Sequence, residues 1–322
     1  MMEAAETVGH RPTIRVVLLN WNSHEQADRC LQRLQDSVGV VVDVLVVDNG
    51  SAGDDADWFR GRLGADRVLA LPHNTGYAGG MNAGIEFWLR QGHSDPILII
   101  TPDAAVASDT LRILADELAR TPDTGIVGPA MFYARGSNPL VCSGGAVEPD
   151  HARVRLQRGR SNETRDVDYV DGCCMLCRPA ALRDVTGFDE AYFIYYEEID
   201  LCRRVRAAGW RVSVVPGAEV DHPKDVGLLP PYYFYYMTRN RYRFWRKNYN
   251  VGFGRVAAQL VLETARGWAS AARAAVVPSR RAHWRGSLRD ATLQTRALVH
   301  GTRDHLAGRY GRMPDGRMPR QS

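Results

Sequence analysis

The densest chemistry in the sequence is the run Gly187-Phe188-Asp189-Glu190-Ala191-Tyr192-Phe193-Ile194-Tyr195-Tyr196-Glu197-Glu198-Ile199-Asp200, which interleaves five carboxylates with aromatic rings. Rings offer a sugar flat apolar platforms, and a carboxylate beside them can accept hydrogen bonds or act as a general base. Glu197 and Glu198 are adjacent. If both are buried they repel, and at least one pKa rises. A plainer reading stands beside this one: an ion-pair network with Arg203, Arg204 and Arg206.

Two further constellations bear on phosphate chemistry. Asp103, in Thr101-Pro102-Asp103, is a lone carboxylate suited to Mg2+ or Mn2+ when diphosphate oxygens and water complete the octahedron. It is equally suited to capping a helix. His222, in Glu219-Val220-Asp221-His222-Pro223, gains interest only as a second donor to that ion. The stretch Asn74-Thr75-Gly76-Tyr77-Ala78-Gly79-Gly80-Met81-Asn82-Ala83-Gly84 brings glycines to a helix start, where bare backbone can approach an anion. It fits neither G-x-G-x-x-G nor G-x-x-x-x-G-K-[ST], so neither a dinucleotide fingerprint nor an ATP P-loop is supported. A tight helix–strand packing turn is the alternative.

These residues need a scaffold that gathers them. Apolar runs end at Asn20 and Asp48 and just before Asn74 and Asp103, and helix-like segments separate them. Such runs read as buried strands of a parallel sheet, whose right-handed crossovers carry each carboxyl end to one edge. Ligands of open α/β sheets bind at that edge. The spacing predicts helices over about 24–37, 51–64, 77–91, 108–121 and 197–208, and strands over 125–131, 167–177 and 211–215. Residues 132–168 read as hairpins or loops. After Pro230-Pro231, helical stretches are expected over 232–249, 254–276 and 284–300, with a disordered tail over 306–322. The domain plan is a flexible 1–12, a catalytic body over 13–228 divided near 105, and a helical extension over 229–305.

Composition limits the alternatives. The chain has 322 residues and is 45% hydrophobic and 24% charged, as expected of a globular protein. Its net charge of +4 conceals a division: residues 239–322 carry 18 Lys/Arg against 4 Asp/Glu, leaving residues 1–238 with 23 against 33. An acidic body with a basic arm points to an anionic surface as partner. The cysteines lack the partners for a zinc site or disulfide framework and read as buried thiols. No apolar stretch reaches the roughly 18 to 20 residues needed to span a bilayer, and no secretory leader is evident. A cytoplasmic protein, peripheral on the inner face of the membrane, is expected.

In their order, these pieces resemble family 2 inverting glycosyltransferases of the GT-A fold, especially bacterial rhamnosyltransferase-like members. The residues that carry the resemblance are Leu19-Asn20-Trp21-Asn22, Val46-Val47-Asp48-Asn49-Gly50-Ser51, Asn74-x-Gly76-Tyr77-Ala78-x-Gly80-x-Asn82-x-Gly84 and Thr101-Pro102-Asp103. They continue with Gly172-Cys173-Cys174-Met175-Leu176, Gly187-Phe188-Asp189-Glu190, Tyr195-x-Glu197-Glu198-x-Asp200-Leu201-Cys202-x-Arg204, Gly209-Trp210 and His222. The resemblance implies a Rossmann-like, mostly parallel sheet flanked by helices, with a C-terminal helical extension. It implies donor contacts from Asn20, Asn22, Asp48, Asn74, Gly76, Tyr77, Gly80, Asn82 and Arg204, and acceptor contacts from Gly172, Cys173, Tyr195 and Trp210. Asp103 and His222 become the ligands of Mg2+ or Mn2+. Glu198 becomes the base, with Glu197 and Asp200 as alternatives. Thr101 stands where the fullest Asp-x-Asp form has its first acid, and Glu198 where Asp is common. The Gln-x-x-Arg-Trp signature of processive synthases is absent.

The expected reaction moves one sugar, best L-rhamnose from dTDP-rhamnose, onto a hydroxyl of a glycan or lipid-linked acceptor in bacterial cell-envelope polysaccharide synthesis. The aromatic–cationic segment 232–247 and the helix after it suggest that residues 232–300 meet an anionic membrane, or else pack on the body or a second copy in a homo-oligomer. Nucleic acid is not an expected partner, since no recognisable motif accompanies the arginines. A nucleotidyltransferase is disfavoured by the lack of a Gly-rich signature with a catalytic cation near the amino terminus. A silent glycan-binding scaffold on the same fold, or a transferase acting on a small-molecule acceptor, are the remaining alternatives.

Overall fold

This computed structural model describes residues 11–134, 140–222, 229–276 and 284–319. The flexible start expected over 1–12 lies, up to residue 10, outside the described residues. The first half alternates as the apolar runs require: β1 (Thr13–Asn20), α1 (His24–Gln35), β2 (Val41–Asp48), α2 (Asp55–Leu63), β3 (Val68–Ala70), α3 (Gly76–Arg90), β4 (Ile97–Ile100), β5 (Ala105–Val106) and α4 (Thr110–Arg120). Then follow β6 (Thr124–Ala134), β7 (Leu140–Glu148), β8 (Arg153–Arg158), β9 (Arg165–Asp166), β10 (Cys174–Cys177), α5 (Pro179–Val185), α6 (Glu197–Ala207) and β11 (Arg211–Asp221). Three helices close the chain: α7 (Pro231–Tyr249), α8 (Phe253–Val276) and α9 (Trp284–Leu306).

The sheet path runs β3-β2-β1-β4-β10-β6-β11-β5. β3, β2, β1 and β4 are parallel, with Asn20 opposite Asp48 in register. β10 is antiparallel to both β4 and β6, while β11 runs parallel to β6. The carboxyl ends of β1, β2, β4, β6 and β11 therefore share one edge. The polar region 140–166 forms the β7–β8 hairpin beside β6 and the short β9 against β11. Only Cys174–Cys177 of the strand expected over 167–177 pairs in the sheet's centre.

Two apolar layers cover the sheet, as its fully buried strands demand. One holds Ala27, Leu31, Leu34 and Leu111 from α1 and α4. The other holds Met81, Ile85 and Trp88 from α3, Leu201 and Val205 from α6, and Phe244 and Trp245 from α7. α3 lies unusually close to the sheet, because a Cβ at Gly84 would overlap Val17 and one at Gly80 would overlap Leu19. All six cysteines are buried free thiols. Among the described helices none is long and apolar enough to cross a membrane.

Two expectations for the C-terminal region are corrected. The rings of α7 do not sit at a membrane surface, since Tyr235, Tyr242, Phe244 and Trp245 are buried in the protein. Composition suggested disorder past residue 306, yet residues 307–319 pack on α7 and α9. Arg317 Nε pairs with buried Asp304 at 2.8 Å, and Met318 joins Phe234 and Tyr235 in an apolar cluster.

Candidate active site

The carboxyl ends of β1 and β2 build one rim from amides and acids. Asn20 Nδ2 donates to Asp48 Oδ1 at 2.9 Å and to Asp55 Oδ2 at 2.8 Å. Ser51 Oγ donates to Asp48 Oδ1 at 2.5 Å and accepts from the Asn22 N–H at 2.8 Å. Asn22 Oδ1 in turn accepts from the Ala52 N–H. Burial would raise the Asp55 carboxyl, but hydrogen bonds from Asn20 and His24 and the charge of His24 turn its net shift downward. Asn20 is thus fully buried and orients carboxylates.

The glycine-rich segment closes this rim at the start of α3. Asn49, which the sequence reading left without a role, grips it: Asn49 Oδ1 accepts from the Thr75 N–H and hydroxyl, and its Nδ2 donates to Gly76 O at 2.9 Å. Asn74 Oδ1 accepts from the Gly76 N–H at 2.7 Å. Gly76 has φ +80°, and any Cβ there would strike the Phe193 carbonyl.

Asp103 and His222 come together as expected. His222 Nε2 lies 2.9 Å from Asp103 Oδ2, and Thr101 Oγ1 donates to Asp103 Oδ1 at 2.5 Å. Burial would raise the Asp103 pKa, but the hydrogen bond and charge of His222, with the Thr101 hydroxyl, turn the net shift downward. No group of three or more His, Cys, Asp or Glu is placed to hold a metal ion among the described residues. The Asp103 carboxylate is 41% exposed, however, and His222 Nε2 faces its Oδ2, so an oxygen and an imidazole nitrogen stand side by side. That fits a divalent cation taking two protein ligands and the rest from phosphate and water.

The acidic segment divides into two functions. Glu197 and Glu198 open α6, and Glu197 Oε2 and Glu198 Oε2 are buried with no hydrogen-bond partner. Burial first, then the neighbouring Glu198 carboxylate, pushes Glu197 well up. Burial and then Asp171 push Glu198 up to about 7, against backbone N–H groups that favour its charge. Gly172 sits against Glu198, its would-be Cβ 3.1 Å from Glu198 Cβ, and its carbonyl accepts from the Tyr77 hydroxyl. Donor-half and acceptor-half residues meet there.

Asp171 joins the Asp103–His222 pair to the glutamates. It accepts from the Tyr133 hydroxyl, and the Tyr133 ring stands edge-on to His222 with centroids 5.8 Å apart. The acceptor motif read from the sequence began at Gly172 and missed this acid, although Asp171 immediately precedes it. The Cys173 carbonyl accepts from the Thr101 N–H at 3.0 Å, fixing the Asp103 loop, while its thiol is buried.

The turn entering α6 is strained. Phe193, Tyr195 and Tyr196 have φ of 69°, 68° and 76°, values that side-chain-bearing residues rarely adopt. α7 holds it in place. Asn240 Nδ2 lies 2.9, 2.8 and 2.8 Å from the carbonyls of Tyr192, Ile194 and Tyr195. Arg239, fully buried, donates to Tyr192 O at 2.9 Å and to Gly311 O at 2.7 Å. Tyr195 meets Tyr233 of α7 edge-on at 5.1 Å.

Four expected site residues lie elsewhere or are otherwise engaged. Asp200 is no base: Tyr192, Arg204, Lys247 and Asn248 all donate to its carboxylate, anchoring α6 to α7. The Arg204 guanidinium binds Asp200 and the Val185 carbonyl, not a donor. Asn82 faces the loop opposite it, exchanging hydrogen bonds with the Phe188 backbone at 3.0 and 2.8 Å. Trp210 precedes β11, whereas His222 follows it, so about 30 Å of strand separates the two. Its indole N–H donates to Asp184 at 2.8 Å, on the opposite edge of the sheet. The ion-pair reading was half right: Asp189 and Asp200 are paired, chiefly by Arg243 and Lys247 of α7.

A parallel half-sheet whose edge joins an amide–carboxylate rim, an Asp–His pair and helix-entry glutamates has the architecture of GT-A glycosyltransferases. The sequence agrees: residues 11–244 match the model for "Glycosyltransferase like family 2", and the chain belongs to that family and is a glycosyltransferase. The N-acetylglucosaminyl-diphospho-decaprenol L-rhamnosyltransferase of Mycobacterium tuberculosis is 30% identical over 236 residues, covering 65% of this chain and 75% of that protein. A low-salt glycan biosynthesis hexosyltransferase of Haloferax volcanii is 23% identical over 236 residues, covering 71% and 74%. In fold, the chain is similar to a mannosyltransferase from Pyrobaculum calidifontis solved with GDP-Man and Mn2+, at TM-score 0.56 and 15% identity over 92% and 88% of the chains. It is also similar to TarS of S. aureus solved with UDP-GlcNAc, at TM-score 0.52 and 15% identity over 92% and 89%.

Proposed function

We propose that the protein transfers L-rhamnose from dTDP-rhamnose to a hydroxyl of a lipid-linked glycan acceptor, with inversion, in cell-envelope polysaccharide synthesis. The observation that carries the reading is the meeting of Glu198, Gly172 and Tyr77 beside Asp171, which Tyr133 ties to the Asp103–His222 pair. The similar mycobacterial rhamnosyltransferase supports the sugar and the acceptor class. A cytoplasmic station at the inner membrane face follows from such an acceptor.

The Asp48 rim and the adjoining Asn74–Gly76 turn receive the nucleoside and diphosphate; the first α3 N–H groups are themselves taken, Gly76 by Asn74 and Ala78 by the Phe193 carbonyl. Asp103 and His222 would hold a divalent cation, Mn2+ in preference to Mg2+ because imidazole is a poor partner for the harder ion. Held there, it would supply positive charge against the negative charge gathering on the departing diphosphate. Glu198 takes the acceptor hydroxyl's proton while the oxygen attacks the anomeric carbon from the face opposite the leaving group. The new C–O bond forms as the C–O bond to phosphate breaks, and the electron pair leaves on the nucleoside diphosphate. Glu197, its pKa raised by burial and the neighbouring Glu198 carboxylate, resists bringing a second negative charge into the site.

A thermal-shift panel of nucleotide sugars with and without Mn2+ tests the donor, since a ligand of the native state raises its stability. The largest shift is expected for dTDP-rhamnose with Mn2+, reduced in Asp103→Asn. A larger shift with another nucleotide sugar replaces the donor, and no transfer to any polyprenyl-diphosphate glycan removes the acceptor reading.

A further inference from the structure

Eight of the fourteen large apolar side chains that the described residues expose lie between residues 253 and 306. They are ordered. α8 buries Val256, Leu260, Ala271 and Ala274 against its neighbours. On the opposite side, Val261, Leu262, Ala265, Trp268, Ala272 and Val276 are exposed at helical spacing and make one stripe, with Val261 53% and Val276 74% accessible. Arg255, Arg266 and Arg273 line one edge of that stripe, spaced by about three and two turns, and are exposed. None of the three makes an ion pair among the described residues. On α9, Leu288, Thr295, Val299 and Leu306 form a matching exposed line, and Trp268 Nε1 donates to Thr295 Oγ1 at 2.9 Å. The two stripes are continuous at Trp268.

We infer that this α8–α9 face, and not the aromatic α7, docks onto an anionic lipid bilayer. The apolar stripe enters the headgroup–acyl boundary, and the arginine edge meets lipid phosphates. Charge selects lipid over a second copy. An antiparallel self-pairing of α8 about a two-fold axis sets both arginine edges on the same side, with no acid on the stripe to meet them. The inference deepens the lipid-linked acceptor reading and gives it a place, but its test is separate.

The full chain is sedimented with acceptor-free vesicles of phosphatidylcholine alone or doped with phosphatidylglycerol. Wild type is expected to pellet with the doped vesicles and weakly with the neutral ones. Combined Arg255→Glu, Arg266→Glu and Arg273→Glu should lower partitioning on the order of 100-fold, and Val261→Asp should also release the protein. Retained nucleotide-induced thermal shift and transfer to a short soluble acceptor show that these variants are folded. Failure of wild type to pellet, or undiminished binding by both variants, overturns the inference. So does a dimer in sedimentation velocity that Val261→Asp dissolves without vesicle binding. Loss of transfer to the soluble acceptor in wild type would count against the enzymatic reading instead.

Discussion

The proposed donor rim and the proposed catalytic turn sit on the same sheet edge but are built on opposite principles. At the rim, the Asn20, Asp48, Asn49 and Asp55 side chains are all partnered, by one another and by His24, Ser51 and the Thr75–Gly76 backbone, beside strand ends whose register is fixed by parallel pairing. At the turn, backbone strain accumulates in Phe193, Tyr195 and Tyr196, and two glutamate oxygens are buried without a donor. The rim's side-chain partners come from its own strand ends and the helix starts that follow them. The turn persists because Asn240 and Arg239 hold it from another part of the chain. A binding surface can be self-sufficient, whereas a base with a raised pKa must be kept in an environment it would otherwise escape.

The comparison is broken most directly at Glu198. Glu198→Gln should lower turnover about 10²-fold or more while leaving donor binding nearly intact; turnover close to wild type would take the base role away. The same variant sharpens the pH argument. Since the base must be ionised, wild-type turnover should rise as pH climbs through about 7, and the variant should lose that limb. Stability should move the other way. Between the ordinary glutamate pKa and about 7 the native state holds more protons than the unfolded one, so wild type weakens as pH rises, and Glu198→Gln should weaken less.

Next in size is Asn240→Ala, which touches no substrate. Loosening the turn should cost about 10-fold or more in kcat with donor Kd little changed, because small misplacements of reacting groups are expensive. An equal loss in both would show that the rim depends on α7 too. Asn20→Ala should do the reverse. It leaves buried Asp48 and Asp55 short of a donor, lowering stability by about 1–3 kcal/mol in denaturant titration and weakening donor affinity before kcat. Smallest of all, Trp210→Phe should leave acceptor KM and kcat within error, with only a slight change in Tm from the lost bond to Asp184. A raised acceptor KM would return Trp210 to the site.

What could be read from the chain follows the same division. The strand ends at Asn20 and Asp48 were legible because continuous apolar runs stop there, and α7 to α9 because their periodicity persists over several turns. The β7–β9 region was legible only as hairpins or loops, since its strands are partly exposed and polar and take their register from β6 and β11. Asp103 and His222, 119 positions apart, were joined through the resemblance, and the structure puts them in contact. Trp210 was misplaced because adjacency to the acidic helix in sequence does not survive the run of β11 across the sheet. Asp200 looked like its neighbours in sequence. Only the fold reveals Lys247 and Asn248 reaching it from α7. Asn49 and Asp171 are each one position beside a residue that was chosen, and their signal was adjacency alone.

The contact between the α6 entry and the far end of the chain bears on how the protein is made. Arg239 donates to the Gly311 carbonyl, and the Gly311 N–H donates to the carbonyl of Ala191. A ribosome must therefore synthesise residue 311 before the loop feeding Glu198 has its full set of partners. The nascent nucleotide pocket can form earlier. During translation the polypeptide would pass through a stage with the proposed donor rim bonded and the turn before Glu198 unbraced, and a bulky fusion placed directly after residue 311 would tend to prolong that stage.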